Sequence, residues 1–171
     1  MEQRILTEYR KAFLEEQDEL KALLWEFGPN QWNYLTPEGV NEEFALVENG
    51  NAQIIVATTD SEIIGFAVLI DGVASPTYLE KYCDLQQIQF VGDVVVSSLH
   101  SGKGIATKLL EKCLLEATNH KARSVLIERH EENLASAGMM RKAGFEIIDT
   151  FFDPKKRAAG SQNSVILEYQ V

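Results

Sequence analysis

The chain has 171 residues, of which 45% are apolar and 25% are charged, and 26 acidic residues against 16 Lys and Arg give a formal net charge of -10. This size and composition predict one globular domain over residues 1–171, with a core large enough to exclude collagen-like, disordered and disulfide-scaffold classes. The acidic balance argues against a nucleic-acid partner, and no apolar run approaches the about 18 residues that span a membrane.

The first part of the chain has the pattern of two helices. Its charged start lacks the apolar segment of an export signal, so we expect a cytoplasmic protein. Apolar residues recur at helical spacing from Glu8 to Phe27, where Gly28-Pro29 ends the pattern, and predict one long surface helix. A second helix is predicted to begin after Thr36, with Pro37 at its first position, and to end before the Asn49-Gly50-Asn51 turn.

The remainder of the chain first has strands and then alternates between strands and helices. Two β-branched runs, Ala52–Thr58 and Glu62–Ile70, predict an antiparallel hairpin. A third strand is predicted over Ile88–Ser97, and its three consecutive valines suggest burial on both faces. The later elements are a helix from about Gly104 to Asn119, a strand at Val125–Glu128, a helix between Asn133 and Gly144, and closing strands at Glu146–Phe152 and Ser164–Tyr169.

The loop after the third strand has the composition of an anion site. Ser101-Gly102-Lys103-Gly104 leads directly into a helix that begins with Ile105-Ala106. Backbone N–H groups at a helix start bind anions, and glycines allow a phosphate to approach the main chain. The Walker pattern and the dinucleotide fingerprint both fail here, since they would require other residues at Ser97, Gly104 and Thr107. Without further motifs, the loop is equally compatible with a structural turn.

Two carboxylates stand out because they occur within or directly after apolar strands. Asp93 interrupts the third strand, and Glu128 follows the run Val125–Ile127. Loss of hydration makes a carboxylate a stronger base, so both are candidates for proton abstraction. The alternative for each is a structural carboxylate held by backbone N–H groups or an ion pair. His130, on the same strand face as Glu128, is either a proton relay or a surface histidine.

Other chemically distinctive residues favour structural interpretations. Cys83 and Cys113 have neither disulfide nor metal-ligand spacing and are expected to be small buried hydrophobes, and no metal site is expected. The basic run Lys155–Arg157 is typical of a solvated turn, with an anion site as the alternative.

A second segment, which begins at Asn133, indicates what the glycine loop binds. Together the two segments resemble the GCN5-related N-acetyltransferase (GNAT) superfamily. The loop is similar to that family's acyl-CoA pyrophosphate loop, and the second segment is similar to its Asn motif in Asn133, Ser136, Lys142, Gly144 and Phe145. The resemblance implies an α+β (mixed α/β) fold. Its twisted, mostly antiparallel mixed sheet would be splayed between the strands of Val96 and Glu128 and flanked by about four helices.

The resemblance also implies a reaction and its participants. It implies acetyl-CoA as co-substrate, without a metal, and direct acetyl transfer to a primary amine of a small molecule or peptide. Glu128 resembles the catalytic Glu of ribosomal-protein alanine N-acetyltransferases and is the leading base, with Asp93 as the second candidate. Dimers are common in the family, so a homodimer is compatible with the resemblance. The implied acetyl-CoA contacts are Val94, Val95, Val96, Ser101, Gly102, Lys103, Gly104, Ile105, Ala106, Asn133 and Ser136.

Two departures from the family pattern leave an alternative open. Ser101 stands where Gln or Arg is common, and Met140 stands where many members have a tyrosine that protonates the departing thiolate. Met has no transferable proton, so water or the dipole of a nearby helix terminus would have to serve. The alternative is a catalytically degenerate acyl-CoA-binding or regulatory module. An unrelated α+β interaction protein is a third hypothesis.

The acceptor side of the implied layout is acidic and aromatic. An acidic entrance would favour a cationic amine. The aromatic side chains would border the acceptor site, with ordinary core packing as the alternative for each of them. The residues concerned are Glu38, Glu42, Glu43, Asp71, Glu80 and Asp84, together with Trp32, Tyr34 and Tyr78.

Overall fold

The computed structural model describes residues 6–171. Within that range, no helix is both long and apolar enough to cross a membrane. The helices are α1 (Gln17–Phe27), α2 (Pro37–Glu48), α3 (Ile105–Asn119) and α4 (Leu134–Lys142). The strands are β1 (Thr7–Lys11), β2 (Ala52–Thr59), β3 (Glu62–Asp71), β4 (Ile88–Val96), β5 (Ser124–His130), β6 (Glu146–Phe152) and β7 (Asn163–Gln170).

The predicted helix from Glu8 to Phe27 is wrong over its first part. Residues 7–11 form β1, which pairs antiparallel with β2, and α1 begins only at Gln17. Phe13, which fits the helical pattern, is exposed at the turn between the two elements, while the Ala12 N–H donates to the Ile54 carbonyl at 2.8 Å. Pairing with the free edge of β2 therefore outweighs local helical spacing.

The other predicted elements are confirmed with small shifts at their ends. Thr36 Oγ1 accepts a hydrogen bond from the Gly39 N–H at 3.0 Å and thereby caps α2. Asn133 Oδ1 caps α4 in the same way by accepting from the Ser136 N–H at 3.2 Å. Gly144 follows α4 with a φ of +98°, a conformation that favours glycine.

The seven strands form one sheet in the order β1-β2-β3-β4-β5-β7-β6. All neighbouring strands run antiparallel except β4 and β5, which are parallel. One face of the sheet packs on α3 and α4, and the other packs on α1 and α2. The mixed, mostly antiparallel sheet with four helices is the fold that the resemblance implies.

The sheet divides between β4 and β5. These strands pair only from Ile88 to Val91, opposite Ser124 to Ile127. Beyond that point β4 stays with β3 and β5 stays with β7, so a gap opens toward Val96 and His130. A register shift in the β3–β4 pairing leaves Gly92 and Asp93 opposite a single β3 residue, which is a β-bulge. The bulge bends β4 at the start of the gap.

The gap also corrects the expected burial of β4. Val95 is fully buried, but Val94 and Val96 are only partly buried because they have no strand beside them on the β5 side. The backbone groups along this edge of β4 are therefore available to an extended ligand.

Candidate active site

The gap contains a cavity of about 160 Å³, large enough for a group of roughly benzene size. Both candidate bases, Asp93 and Glu128, line it. So do the β4 valines, the α4 cap Asn133 and the α4 residues Ser136, Met139 and Met140. The segment after α1 contributes side chains that include Asn30, Trp32 and Asn33. Residues expected at the acyl donor and residues expected at the acceptor thus meet in one cavity.

The two faces of β5 present different chemistry to this cavity. Val125 and Ile127 belong to the core beneath α3 and α4, whereas Leu126 belongs to the core beneath α1 and α2. Because side chains alternate along a strand, Arg129 lies on the α4 face and Glu128 lies on the opposite face. The cavity therefore has a cationic residue on one side of β5 and a carboxylate on the other.

Glu128 is a buried and fully engaged carboxylate. Its side chain is 3% exposed, and Lys156 Nζ lies 3.0 Å from Oε2 while Arg157 Nη2 lies 3.4 Å from Oε1. The Tyr78 hydroxyl also donates to Oε2. Burial, followed by the proximity of Glu128, raises the pKa of Tyr78 far above its usual range, so this phenol stays protonated and remains a donor.

The basic run at residues 155–157 is therefore not a simple solvated turn. Arg157 is 7% exposed, and its Nε donates to Ser164 Oγ at 2.9 Å. That hydroxyl in turn donates to Asp153 Oδ2 at 2.7 Å. This chain of contacts folds the β6–β7 loop over the end of β5, so the loop closes one side of the cavity.

Asp93 has a different environment from Glu128. No described cationic side chain forms an ion pair with it, and its hydrogen-bond partner is the carboxyl of Glu43 on α2. Burial, followed by the hydrogen bond and charge of Asp93, raises the pKa of Glu43 well above its usual value. Glu43 is therefore the carboxyl that holds a proton more strongly than usual at the bulge of β4.

His130 is neither a surface residue nor free to relay a proton. It is 1% exposed, its Nδ1 accepts from the Glu132 N–H at 2.9 Å, and its Nε2 lies 2.7 Å from the Ala159 carbonyl. These partners require a neutral ring with the proton on Nε2. Its ring contacts Trp32 with centroids 4.7 Å apart, so His130 positions an aromatic wall of the cavity.

The glycine loop has the geometry of an anion site. Gly102 and Gly104 have φ values of +76° and +75°, and no atom would lie within 4 Å of a Cβ at either position. Gly104 is the residue that precedes α3, whose first N–H groups point out of the helix without an internal acceptor. Lys103 is exposed beside them. The loop therefore offers backbone donors, open space and the exposed ammonium of Lys103 to a phosphate.

Several residues expected near the acceptor entrance lie elsewhere. Asp71 accepts from Gln89 at 2.9 Å, and Asp84 precedes β4, so both lie at the end of β4 that is remote from the gap. Tyr34 is 81% exposed and does not line the cavity. Of the six acidic residues, Glu43 is the one that contacts Asp93.

The cysteines have no catalytic environment. Cys113 is buried, and burial raises the pKa of its thiol to about 12, while Cys83 is partly buried. Among residues 6–171, no group of three or more His, Cys, Asp and Glu side chains could hold a metal ion.

Some residues of the cavity have no signal in the sequence. Arg157 belongs to a basic run that is typical of a turn, and Arg129 stands between Glu128 and His130, which are chemically more distinctive. In a sequence, a charged residue beside a buried apolar strand is only a weak indication that its side chain lines a cavity or pairs with a buried carboxylate. Only the closure of the β6–β7 loop and the splay of the sheet bring them to the cavity.

Comparison with known proteins agrees with this geometry. The family model described as the acetyltransferase (GNAT) family matches residues 17–145. No curated protein matches the chain.

Solved structures share the fold at low sequence identity. An N-acetyltransferase from Staphylococcus aureus Mu50 aligns with a TM-score of 0.76 and 18% identity over 96% of this chain and 98% of its own. A ribosomal-protein-alanine N-acetyltransferase from Brucella melitensis aligns with a TM-score of 0.74 and 19% identity over 96% of this chain and 99% of its own. The aminoglycoside acetyltransferase AAC(6')-Ib, solved with coenzyme A and kanamycin, aligns with a TM-score of 0.72 and 18% identity over 96% of this chain and 95% of its own.

The family match covers most of the chain, including the glycine loop and the Asn motif, and its reaction class is acetyl transfer from acetyl-CoA. Together with the splayed sheet, this match shows that the chain belongs to the acetyltransferase (GNAT) family.

Proposed function

We propose that this protein transfers the acetyl group of acetyl-CoA directly to a primary amine of a small molecule or peptide. The observation that carries the proposal is the gap between β4 and β5, where two carboxylates share one cavity with the free edge of β4 and the Asn133 end of α4. An amine and a thioester held in such a cavity react with the advantage of proximity.

The residues present fit acetyl-CoA. The backbone of Val94–Val96 is available to the amides of the pantetheine arm, as in strand-like recognition of extended ligands. Loop residues from Ser101 to Ala106 would hold the pyrophosphate with backbone N–H groups, and Asn133 and Ser136 line the gap beside the arm. A β4 amide near Val96 would stabilise the oxyanion that develops on the acetyl carbonyl.

The environments of the two carboxylates favour Asp93 as the base. Each oxygen of Glu128 already accepts a hydrogen bond or ion pair, so taking a proton would require it to release a partner. Asp93 has no described cation beside it, and its neighbour is the Glu43 carboxyl. Asp93 lines the cavity and can take the proton of an alkylammonium without first releasing an ion-pair partner. Glu128 then serves to orient Tyr78 and the β6–β7 loop.

Calorimetry and a thiol-release screen would test the function. We expect acetyl-CoA to bind and at least one cationic amine to release CoA faster than neutral amines or alcohols do. Candidates are polyamines, aminoglycosides, amino acids and peptides. Absence of acetyl-CoA binding at millimolar concentration would refute the proposal, and binding without release across the panel would favour the degenerate module.

The base is tested by two variants and a control. We expect Asp93→Asn to lower kcat by about 100-fold or more, which is the usual contribution of a general base. Glu128→Gln should mainly raise KM and lower stability. Asp60→Asn, in the β2–β3 turn, removes the same charge far from the gap and should leave kcat unchanged. If Glu128→Gln abolishes turnover while Asp93→Asn does not, Glu128 is the base.

A further inference from the structure

Arg129 is a buried cation that forms no ion pair with any of the described residues. Its side chain projects from β5, and the residue is 8% exposed. Nη1 donates to the carbonyl oxygens of His130 and Glu131 at 3.1 and 2.9 Å, while Nε is buried and has no hydrogen-bond partner. Within residues 6–171, no carboxylate lies at ion-pair distance from it.

The nearest acidic residues have other partners. The Glu131 carboxylate accepts from Asn163 Nδ2 at 3.2 Å, and Glu132 accepts from the Ser161 N–H at 2.9 Å. Glu128 lies on the opposite face of β5 with Lys156 and Arg157. The charge of Glu131 thus acts on Arg129 only from a distance, and among residues 6–171 no carboxylate forms an ion pair with it. Because an incompletely compensated buried charge is costly, the free Nε of Arg129 favours an anionic group of a ligand as its partner.

The position of Arg129 identifies that partner. It lines the same cavity as the β4 valines, Asn133 and Met140, and strand alternation places it on the α4 face, where the acyl donor is expected. Met140 occupies the place of the usual proton donor to the thiolate and has no proton to give. The oxyanion of the acetyl carbonyl is served by the β4 amides, so the leaving sulfur of CoA is the developing anion left for Arg129.

We propose that the Arg129 guanidinium stabilises the CoA thiolate as it leaves, in place of a proton donor. The inference rests on the proposed function. The alkylammonium gives one proton to Asp93, and the neutral amine nitrogen then forms the new C–N bond. The nitrogen loses its second proton to water, and the C–S bond breaks with its electron pair on sulfur. Arg129 keeps its own proton and supplies charge, and the thiolate later takes a proton from water.

Titration of the bound CoA thiol tests this without an acceptor amine. The ultraviolet absorbance of the thiolate, followed against pH, gives the pKa of CoA bound to the full chain. For the wild type we expect this pKa to lie at least one unit below that of free CoA, equivalent to tenfold tighter binding of the thiolate. Arg129→Met should restore the value of free CoA, and Arg129→Lys should retain part of the shift. Arg123→Met removes an exposed arginine beside the other end of β5 and should behave as the wild type.

A thioether analogue separates this effect from general affinity. S-methyl-CoA cannot ionise at sulfur, so its affinity should be similar in the wild type and in Arg129→Met and should not rise with pH as that of CoA does. Comparing CoA with S-methyl-CoA on the wild type alone keeps the inference testable if Arg129→Met does not fold. An unshifted thiol pKa in the wild type, or an equal shift in Arg129→Met, overturns the inference alone. Failure of the wild type to bind any form of CoA overturns the proposed function with it.

Discussion

Glu43 of α2 lies directly against Gly92 of β4. A Cβ added at Gly92 would overlap Glu43 Oε1 and would come within 3.0 Å of Ile70 Cδ1. The absence of a side chain at the bulge is therefore what allows the Glu43 carboxyl to reach Asp93. This contact couples α2, on the acceptor side, to the edge of the gap.

Replacing Gly92 should separate the two carboxyls. We expect Gly92→Ala to fold, because the overlapping atom is the end of a flexible side chain, but to lower kcat by about 100-fold through misplacement of the pair. Gly138→Ala is the control, since its added Cβ would have Arg141 Nη2 at 3.9 Å as its nearest neighbour. Equal kcat values for the two variants would contradict this function of the contact.

The Asp93–Glu43 pair should also make stability depend on pH. The folded chain holds the Glu43 proton more tightly than the unfolded chain, where its pKa is near 4.5, so the free energy of unfolding should fall as pH rises from about 4.5 through the raised pKa. Glu43→Gln should lose this decline and become relatively more stable at higher pH. Urea denaturation at several pH values measures the free energy of unfolding. The control is Glu42→Gln, at an exposed position on the same helix. A decline of equal slope in Glu43→Gln would refute the assignment.

The ion pair between Glu128 and Arg157 should stabilise the fold. Removing one partner leaves the other buried without full compensation, so Arg157→Met should lower the free energy of unfolding by about 3 kcal/mol. Lys155→Met, in the same loop and exposed, should change it by less than about 0.5 kcal/mol. Denaturant unfolding compares them, and similar losses in both variants would show that the pair contributes little.

The glycine loop should gain affinity from a cation at Ser101. Ser101→Arg adds a charge-assisted donor at an exposed position, and we expect acetyl-CoA to bind about threefold to tenfold more tightly, with the gain reduced by salt. Ser98→Arg adds the same charge at an exposed position one turn earlier and is the control. Calorimetry at two ionic strengths measures both, and equal gains would indicate general attraction rather than a specific contact.

The sequence by itself determined most of the fold because its signals are local. Thr36 and Asn133 predict the starts of α2 and α4, and the observed caps use those side chains. The glycine loop and the Asn motif identified the family for the same reason, since each is a short segment whose backbone conformation carries its chemistry. Local signals failed at β1, where helical spacing competed with pairing to β2.

Only the tertiary structure decided the electrostatics of the cavity. Asp93 and Glu128 are both carboxylates beside apolar strands in the sequence, and the family resemblance favours Glu128. In the structure Asp93 meets Glu43, whereas Glu128 meets Lys156 and Arg157. These partners come from distant segments, and the protonation state of a buried group depends on the charges and solvent that surround it. The length, charge and motifs of the chain thus indicated the reaction class, and the assembled neighbours of each charged side chain determined which role it can take.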